Sequence, residues 1–149
     1  MGQAARMILI ENGQILVMER QKNNQTYYTL VGGRKNDDET IEECLVREIR
    51  EETGLEITSH QLVFTEQHND ERYNDQFIFI VTVAPHGDIS LGELSEEALL
   101  NNNPYTENKH TPYWIPLGSF SRLPFRTPAL GQAIERSLKK GFPRVPITL

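Results

Sequence analysis

The sequence predicts an α/β (α+β) fold, and three observations carry that expectation. Apolar runs of strand length flank an Asn12-Gly13 pair near the start of the chain. A helix punctuated at both ends follows over residues 41–53, and a second punctuated helix closes the chain after further strands. The chain has 149 residues, of which 38% are hydrophobic and 24% charged, as in ordinary globular domains rather than disordered chains. That length suits a single domain over residues 1–149 with a sizeable core.

The elements follow in order. Met7 to Ile10 and Ile15 to Met18 surround Asn12-Gly13, the strongest short-range hairpin signal. Gln21 to Thr26 is polar and reads as a loop, and Tyr27 to Val31 as a short strand ending at Gly32-Gly33. Thr40 and Glu43 form a capping box ahead of a helix from Ile41 to Thr53, and Gly54 sits where the helix should end. Ile41, Cys44, Leu45 and Ile49 give that helix its apolar face. Leu62 to Phe64 and Phe77 to Val83 read as strands, stopped by Pro85-His86-Gly87. His110 to Leu117 reads as another strand. Thr127, Pro128 and Gly141 mark the N-cap, first turn and end of the last helix.

Composition excludes several classes. The longest apolar stretch, Phe77 to Ala84, is far short of the ~20 residues of a membrane span. The first residues lack the apolar region of a signal peptide, and Arg6 stands where a myristoylation motif needs Ser or Thr. Cys44 is the lone cysteine, so no intramolecular disulfide forms, and a cytoplasmic location is expected. The net charge of −6 argues against non-specific binding to nucleic acid. An anionic ligand would then need a local reversal of charge, which a divalent cation supplies.

Glu48, Glu51 and Glu52 carry the most chemistry. Their i, i+3, i+4 spacing places three carboxylates on one side of a helix, in its last turns, where the macrodipole also disfavours negative charge. Each like-charged pair costs roughly 0.2–0.5 kcal/mol. Local rules are broken most often at functional sites, and converging carboxylates suit Mg²⁺ or Mn²⁺. The competing reading is a solvated acidic face, with Arg47 pairing to Glu43 or Glu51.

The flanking residues extend the pattern. Gly33, five residues, Glu39, seven residues, then Arg47-Glu48-Ile49-Arg50-Glu51-Glu52-Thr53-Gly54-Leu55 resembles the signature of the Nudix hydrolases at every specified position. Tyr28 to Gly33 is similar to the family's approach to this box, and Trp114 to Leu117 to the strand before its last helix. Two departures are Val31, where proline is common, and Asp37-Asp38, where the turn normally contains glycine.

The resemblance implies an α/β/α sandwich with a mixed central sheet, and a metal-dependent pyrophosphohydrolase. It would cleave a diphosphate bond in a nucleoside diphosphate linked to another group: a nucleoside triphosphate, a dinucleoside polyphosphate or a nucleotide sugar. The alternative is a nucleotide-binding or regulatory module of the same fold without turnover, although such modules usually lose box acids. The implied metal ligands are Glu48, Glu51, Glu52 and the Gly32 carbonyl, holding Mg²⁺ (or Mn²⁺). Glu48 or Glu51, or a distal acid, would be the base, with Arg47 and Glu39 paired to hold the loop against the helix. Glu93, Glu96 and Glu97 are candidates for a distal acid.

Arg20 and Arg34 are candidate phosphate-binding residues. Arg20 also has a plainer reading, as an edge-strand charge that discourages aggregation. Tyr73 resembles the tyrosine of the subgroup that cleaves diadenosine polyphosphates, and Tyr105 and Tyr113 are further stacking candidates. The proline expected of ADP-ribose hydrolases is absent. The histidines at 60, 68, 86 and 110 show no ligand spacing. The expected partner is a small nucleotide diphosphate, with no membrane and no non-specific nucleic acid; a homodimer is the assembly left open.

Overall fold

The structure is a computed structural model that describes residues 2–67, 75–89 and 109–149. Its strands are β1 (Gln3–Ile8), β2 (Ile10–Glu11), β3 (Gln14–Lys22), β4 (Gln25–Thr29), β5 (Val31–Arg34), β6 (Ile57–Gln67), β7 (Asp75–Val83), β8 (Lys109–Pro116) and β9 (Ile147–Thr148). The helices are α1 (Ile41–Thr53) and α2 (Pro128–Lys140), with a 3₁₀ helix at Leu117–Arg122.

The strands form two sheets. The larger runs β5-β1-β7-β6-β9 and is mixed: β1 lies parallel to β7 and β6 to β9, while the other pairs are antiparallel. In the smaller sheet β3 pairs with β2, β4 and β8. β1 is buried from Ala4 to Ile8 because neighbours flank it on both edges and apolar layers cover both faces. Its side chains alternate between those layers. Ala5 and Met7 pack with Cys44, Leu45 and Ile49 of α1. Ile8 packs with Leu130, Ala133 and Ile134 of α2. Helices therefore cover the strands from both sides, the α/β/α arrangement expected.

The expected hairpin at Asn12-Gly13 forms, with φ of 52° and 74° at the turn, but it is short. Ahead of the turn only Ile10 and Glu11 pair with β3, and the Leu9 carbonyl accepts from the Leu16 N–H at 3.0 Å; from Ile8 backwards the chain belongs to the other sheet. A similar crossing occurs at Leu30, between β4 and β5. The polar stretch Gln21 to Thr26 is not a loop. It is the tip of a second hairpin, turned by Asn23 and Asn24 at φ of 51° and 63°. Both positive values suit a two-residue type I′ turn. Every residue from 21 to 26 is exposed, so no apolar alternation marks the strands. The same cause hides most of β6, whose residues 58–61 are also exposed.

α1 begins and ends where its sequence says. Thr40 Oγ1 accepts from the Glu43 N–H at 3.1 Å, and Glu43 Oε1 accepts from the Thr40 N–H at 2.9 Å. Gly54, at φ 76°, donates its N–H to the Arg50 carbonyl at 2.9 Å. At the head of α2, Thr127 occupies the N-cap position but its side chain makes no capping bond.

The reciprocal bonds at Thr40 set where the acidic helix starts. Thr40→Ala should cost ~1 kcal/mol. Urea unfolding should show this as a lower midpoint at unchanged slope. A midpoint equal to that of the wild type would mean that the cap contributes nothing.

Candidate active site

Arg47 lies one turn into α1 from its acidic N-terminal residues and reaches back to the loop before the helix. Its Nε and Nη2 donate to Glu39 Oε2 and Oε1 at 2.9 and 2.7 Å, a two-point clasp. Its Nη1 donates to Glu48 Oε1 at 2.9 Å and to Glu51 Oε2 at 3.2 Å. Its Nη2 also meets the Arg34 carbonyl at 3.0 Å. Glu39 in turn accepts from the Asn36 N–H at 2.8 Å, while its own N–H faces the Asn36 carbonyl at 3.4 Å. Residues 36–39 therefore turn without any residue at positive φ, so Asp37-Asp38 needs no glycine. The Arg47 hydrogen bonds outweigh partial burial and lower the Glu39 carboxyl to a pKa of about 2. The same bonds raise the Arg47 guanidinium.

The double glycine brings backbone onto the acids. A Cβ on Gly33 would lie on the Glu48 carboxylate, and one on Gly32 would strike the Ala5 carbonyl and the Arg6 Cα. The Gly32 N–H donates to Glu52 Oε2 at 3.3 Å. The three helix acids differ in setting. Glu52 is buried at 1% exposure, the Glu48 side chain is 14% exposed and that of Glu51 is 50% exposed. They do not simply crowd one solvated face.

Carboxylates and a main-chain carbonyl are the oxygen donors that Mg²⁺ takes, so the donor set fits such a cation. As the side chains lie, no three acidic, imidazole or thiol groups among the described residues are gathered closely enough to hold one. Glu48 and Glu51 turn to Arg47, whereas Glu52 turns inward to Gly32. Closing them round one ion requires side-chain rotation. Cys44 beside them donates to the Gly33 carbonyl at 3.5 Å; burial, with the charges of Glu39 and Glu48, pushes its thiol up to about 12.

Glu52 also lines a cavity of about 10 Å³, room for about one water, with Arg6, Arg20, His110 and Gly32 beside Met18 and Leu30. Arg20 is not an edge-strand charge. It is 9% exposed and lies between β4 and β8, directly opposite Tyr27 on one side and His110 on the other. Its Nε and Nη2 lie 3.3 and 3.1 Å from His110 Nε2. Arg6, 7% exposed, donates from Nε to Gln76 Oε1 at 2.9 Å and from Nη1 to the Leu30 carbonyl at 3.4 Å. Gln76 Nε2 continues to Glu66 Oε1 at 3.1 Å.

The sequence reading missed Arg6, Gln76, Glu66 and His110. Arg6 had left a signal, a lone charge inside an apolar strand. His110 had left none, since it meets Arg20 only through the pairing of β3 with β8.

The other candidates divide. Arg34 is exposed, and its carbonyl accepts from Arg47 Nη2 at 3.0 Å. Tyr113, 46% exposed, pairs with Val17 and so points to the opposite face of β8 from His110, away from the cavity. Tyr73, Tyr105, Glu93, Glu96 and Glu97 lie outside the described residues.

Comparison with known proteins gives a consistent result. The chain is 33% identical over 103 residues to the ADP-ribose pyrophosphatase of Methanocaldococcus jannaschii, covering 64% of this chain and 61% of that one. It is 38% identical over 45 residues to the NAD-capped RNA hydrolase NudC of Vibrio vulnificus, covering 30% of this chain and 17% of that one. The chain thus spans less than two thirds of the length of either relative. A NUDIX hydrolase from Nitrosomonas europaea superposes with a TM-score of 0.66 at 16% identity, over 97% of this chain and 93% of that structure, a likeness of fold. The NUDIX domain model matches residues 1–132, and the chain belongs to that family.

Proposed function

We propose that residues 1–149 form a single Nudix hydrolase domain, a metal-dependent pyrophosphohydrolase. Its substrate would be a nucleoside diphosphate linked to a further group, in the class of nucleoside triphosphates, dinucleoside polyphosphates or nucleotide sugars. The observation that carries this reading is the continuity of the box acids. Arg47 joins Glu39, Glu48 and Glu51, and the Gly32-Gly33 backbone meets Glu48 and Glu52. Both named relatives are called hydrolases or pyrophosphatases of nucleotide-containing molecules. No box acid is missing, which supports turnover over a purely regulatory module.

Glu48, Glu51, Glu52 and the Gly32 carbonyl would hold Mg²⁺ or Mn²⁺. A bound ion would supply neutralisation of the diphosphate oxygens and a water of lowered pKa. Glu48 or Glu51 would take that water's proton. Arg47, anchored by Glu39, sets the directions of both carboxylates. Arg20, whose side chain lines the cavity with Glu52, would be a phosphate-binding candidate once that cavity, with room for about one water, opens. Among the described residues, no helix is long and apolar enough to cross a membrane. A cytoplasmic setting goes with this reading.

The deciding experiment is a Mg²⁺-dependent screen of nucleoside triphosphates, dinucleoside polyphosphates and nucleotide sugars, with products identified. Mg²⁺ should raise the melting temperature. Glu52→Gln should remove most of that rise and nearly all turnover. Full hydrolysis in excess EDTA, or cleavage of non-nucleotide diphosphates alone, would overturn the proposal.

Lysine lacks the planar fork that serves Glu39, Glu48 and Glu51 together. Arg47→Lys should therefore lower turnover ~10-fold or more at saturating metal. Unchanged turnover would reduce Arg47 to a surface charge.

The clasp also predicts an acid limb of stability. Because the Glu39 carboxyl is lowered to about 2 in the folded chain, its contribution is complete above the unfolded value, near ~4.3. It is lost as pH falls from there through about 2. In metal-free urea titrations, Glu39→Gln should flatten the fall in stability across that window. An unaltered slope would show that Glu39 does not contribute to it.

A further inference from the structure

We propose that His110 is a positioning residue that fixes the Arg20 guanidinium in the cavity shared with Glu52 and Gly32, an inference resting on the reading of Arg20 as a substrate-binding cation. The two side chains stand directly opposite one another on β3 and β8, at 9% and 5% exposure. Both Nε and Nη2 of Arg20 approach the same atom, His110 Nε2, at 3.3 and 3.1 Å. A guanidinium has only donors. Nε2 therefore accepts in the tautomer that carries the ring proton on Nδ1. Two N–H groups from one edge of the fork on a single acceptor fix the plane of the guanidinium as well as its distance.

The identity of the partner matters. A carboxylate in that place would orient Arg20 and also oppose its charge, as three carboxylates do at Arg47. A neutral imidazole orients the fork and adds no negative charge. The register supports the same role. Tyr27 is opposite Arg20 on β4, so the arginine is flanked by a ring-bearing residue on each neighbouring strand, and its long stem is held between paired strands. An unconstrained arginine would spread over many rotamers.

The first test uses the unaltered protein. Long-range ¹H–¹⁵N spectra at neutral pH should show His110 protonated on Nδ1 and unprotonated on Nε2. A ring protonated on Nε2, or on both nitrogens, overturns the proposal without any variant having to fold. The second test measures the Kd of α,β-methylene-ADP, an uncleavable nucleoside diphosphate, in Mg²⁺. His110→Leu should weaken binding ~10-fold. His110→Gln, whose Oε1 can accept from Arg20, should recover most of the loss. In an Arg20→Ala background, His110→Leu should add nothing. A further loss there, or no recovery with glutamine, also overturns the proposal. An Arg20→Ala chain that binds as tightly as the wild type, with His110 still protonated on Nδ1, overturns instead the reading of Arg20 on which the proposal rests.

Discussion

The guanidinium of Arg47 touches oxygens from three stretches of chain: both oxygens of Glu39 in the loop, the carbonyl of Arg34 at the end of β5, and one oxygen each of Glu48 and Glu51 on its own helix. Remove it, and two carboxylates at i, i+3 repel at the end of a helix whose dipole already disfavours them. The loop from 34 to 39 would also lose its hold on α1. The directions of the Glu48 and Glu51 carboxylates, the seating of the loop and the low pKa of Glu39 thus share one cause. Lysine could supply the charge but not the five-oxygen geometry.

The second constraint is where the two sheets exchange strands. The chain leaves the larger sheet at Leu9 and returns to it at Leu30, and both leucines are buried. Between these crossings lies a polar seam rather than an apolar filling. Arg6 ties β1 to the Leu30 carbonyl and to Gln76 on β7; Gln76 passes the contact to Glu66 on β6. Buried charges persist only where hydrogen bonds satisfy them, and this seam satisfies them by linking strands far apart in sequence. It opens into the cavity that holds Glu52 and Arg20. The acidic helix end is thus backed by two buried arginines from different sheets.

Legibility in the sequence followed the range of each interaction. α1 was readable to the residue, because its capping box, apolar face and terminal glycine are all local. The Asn12-Gly13 hairpin was readable for the same reason. The strands around Asn23-Asn24 and residues 58–61 were not, because exposed polar strands carry no alternation. In the site, the box acids and Arg47 lie on one short segment and could be picked out together. The Arg20–His110 contact spans ninety positions and depends on β-pairing, which leaves no periodic trace at either residue. Arg6 was visible as an anomaly, a charge in an otherwise apolar run, but its partners were not. The face of Tyr113 was equally hidden, because a β-strand reverses its face at each residue and aromatic content alone carries no face.

Arg47 also bears on how folding relates to metal. In small structural metal sites the ligands cannot come together without the ion, and binding is folding. Here the acidic end of α1 already has positive charge at Glu48 and Glu51 from Arg47, and an N–H at Glu52 from Gly32. The helix takes its caps, its buried face and its clasp from protein groups. A divalent cation taken by these acids would then compete with Arg47 for Glu48 and Glu51 rather than fill a hole. That competition sets a physical reason for the loop clasp at Glu39. With two oxygens held by Glu39 alone, Arg47 can release the helix carboxylates to an ion and still keep its place against them.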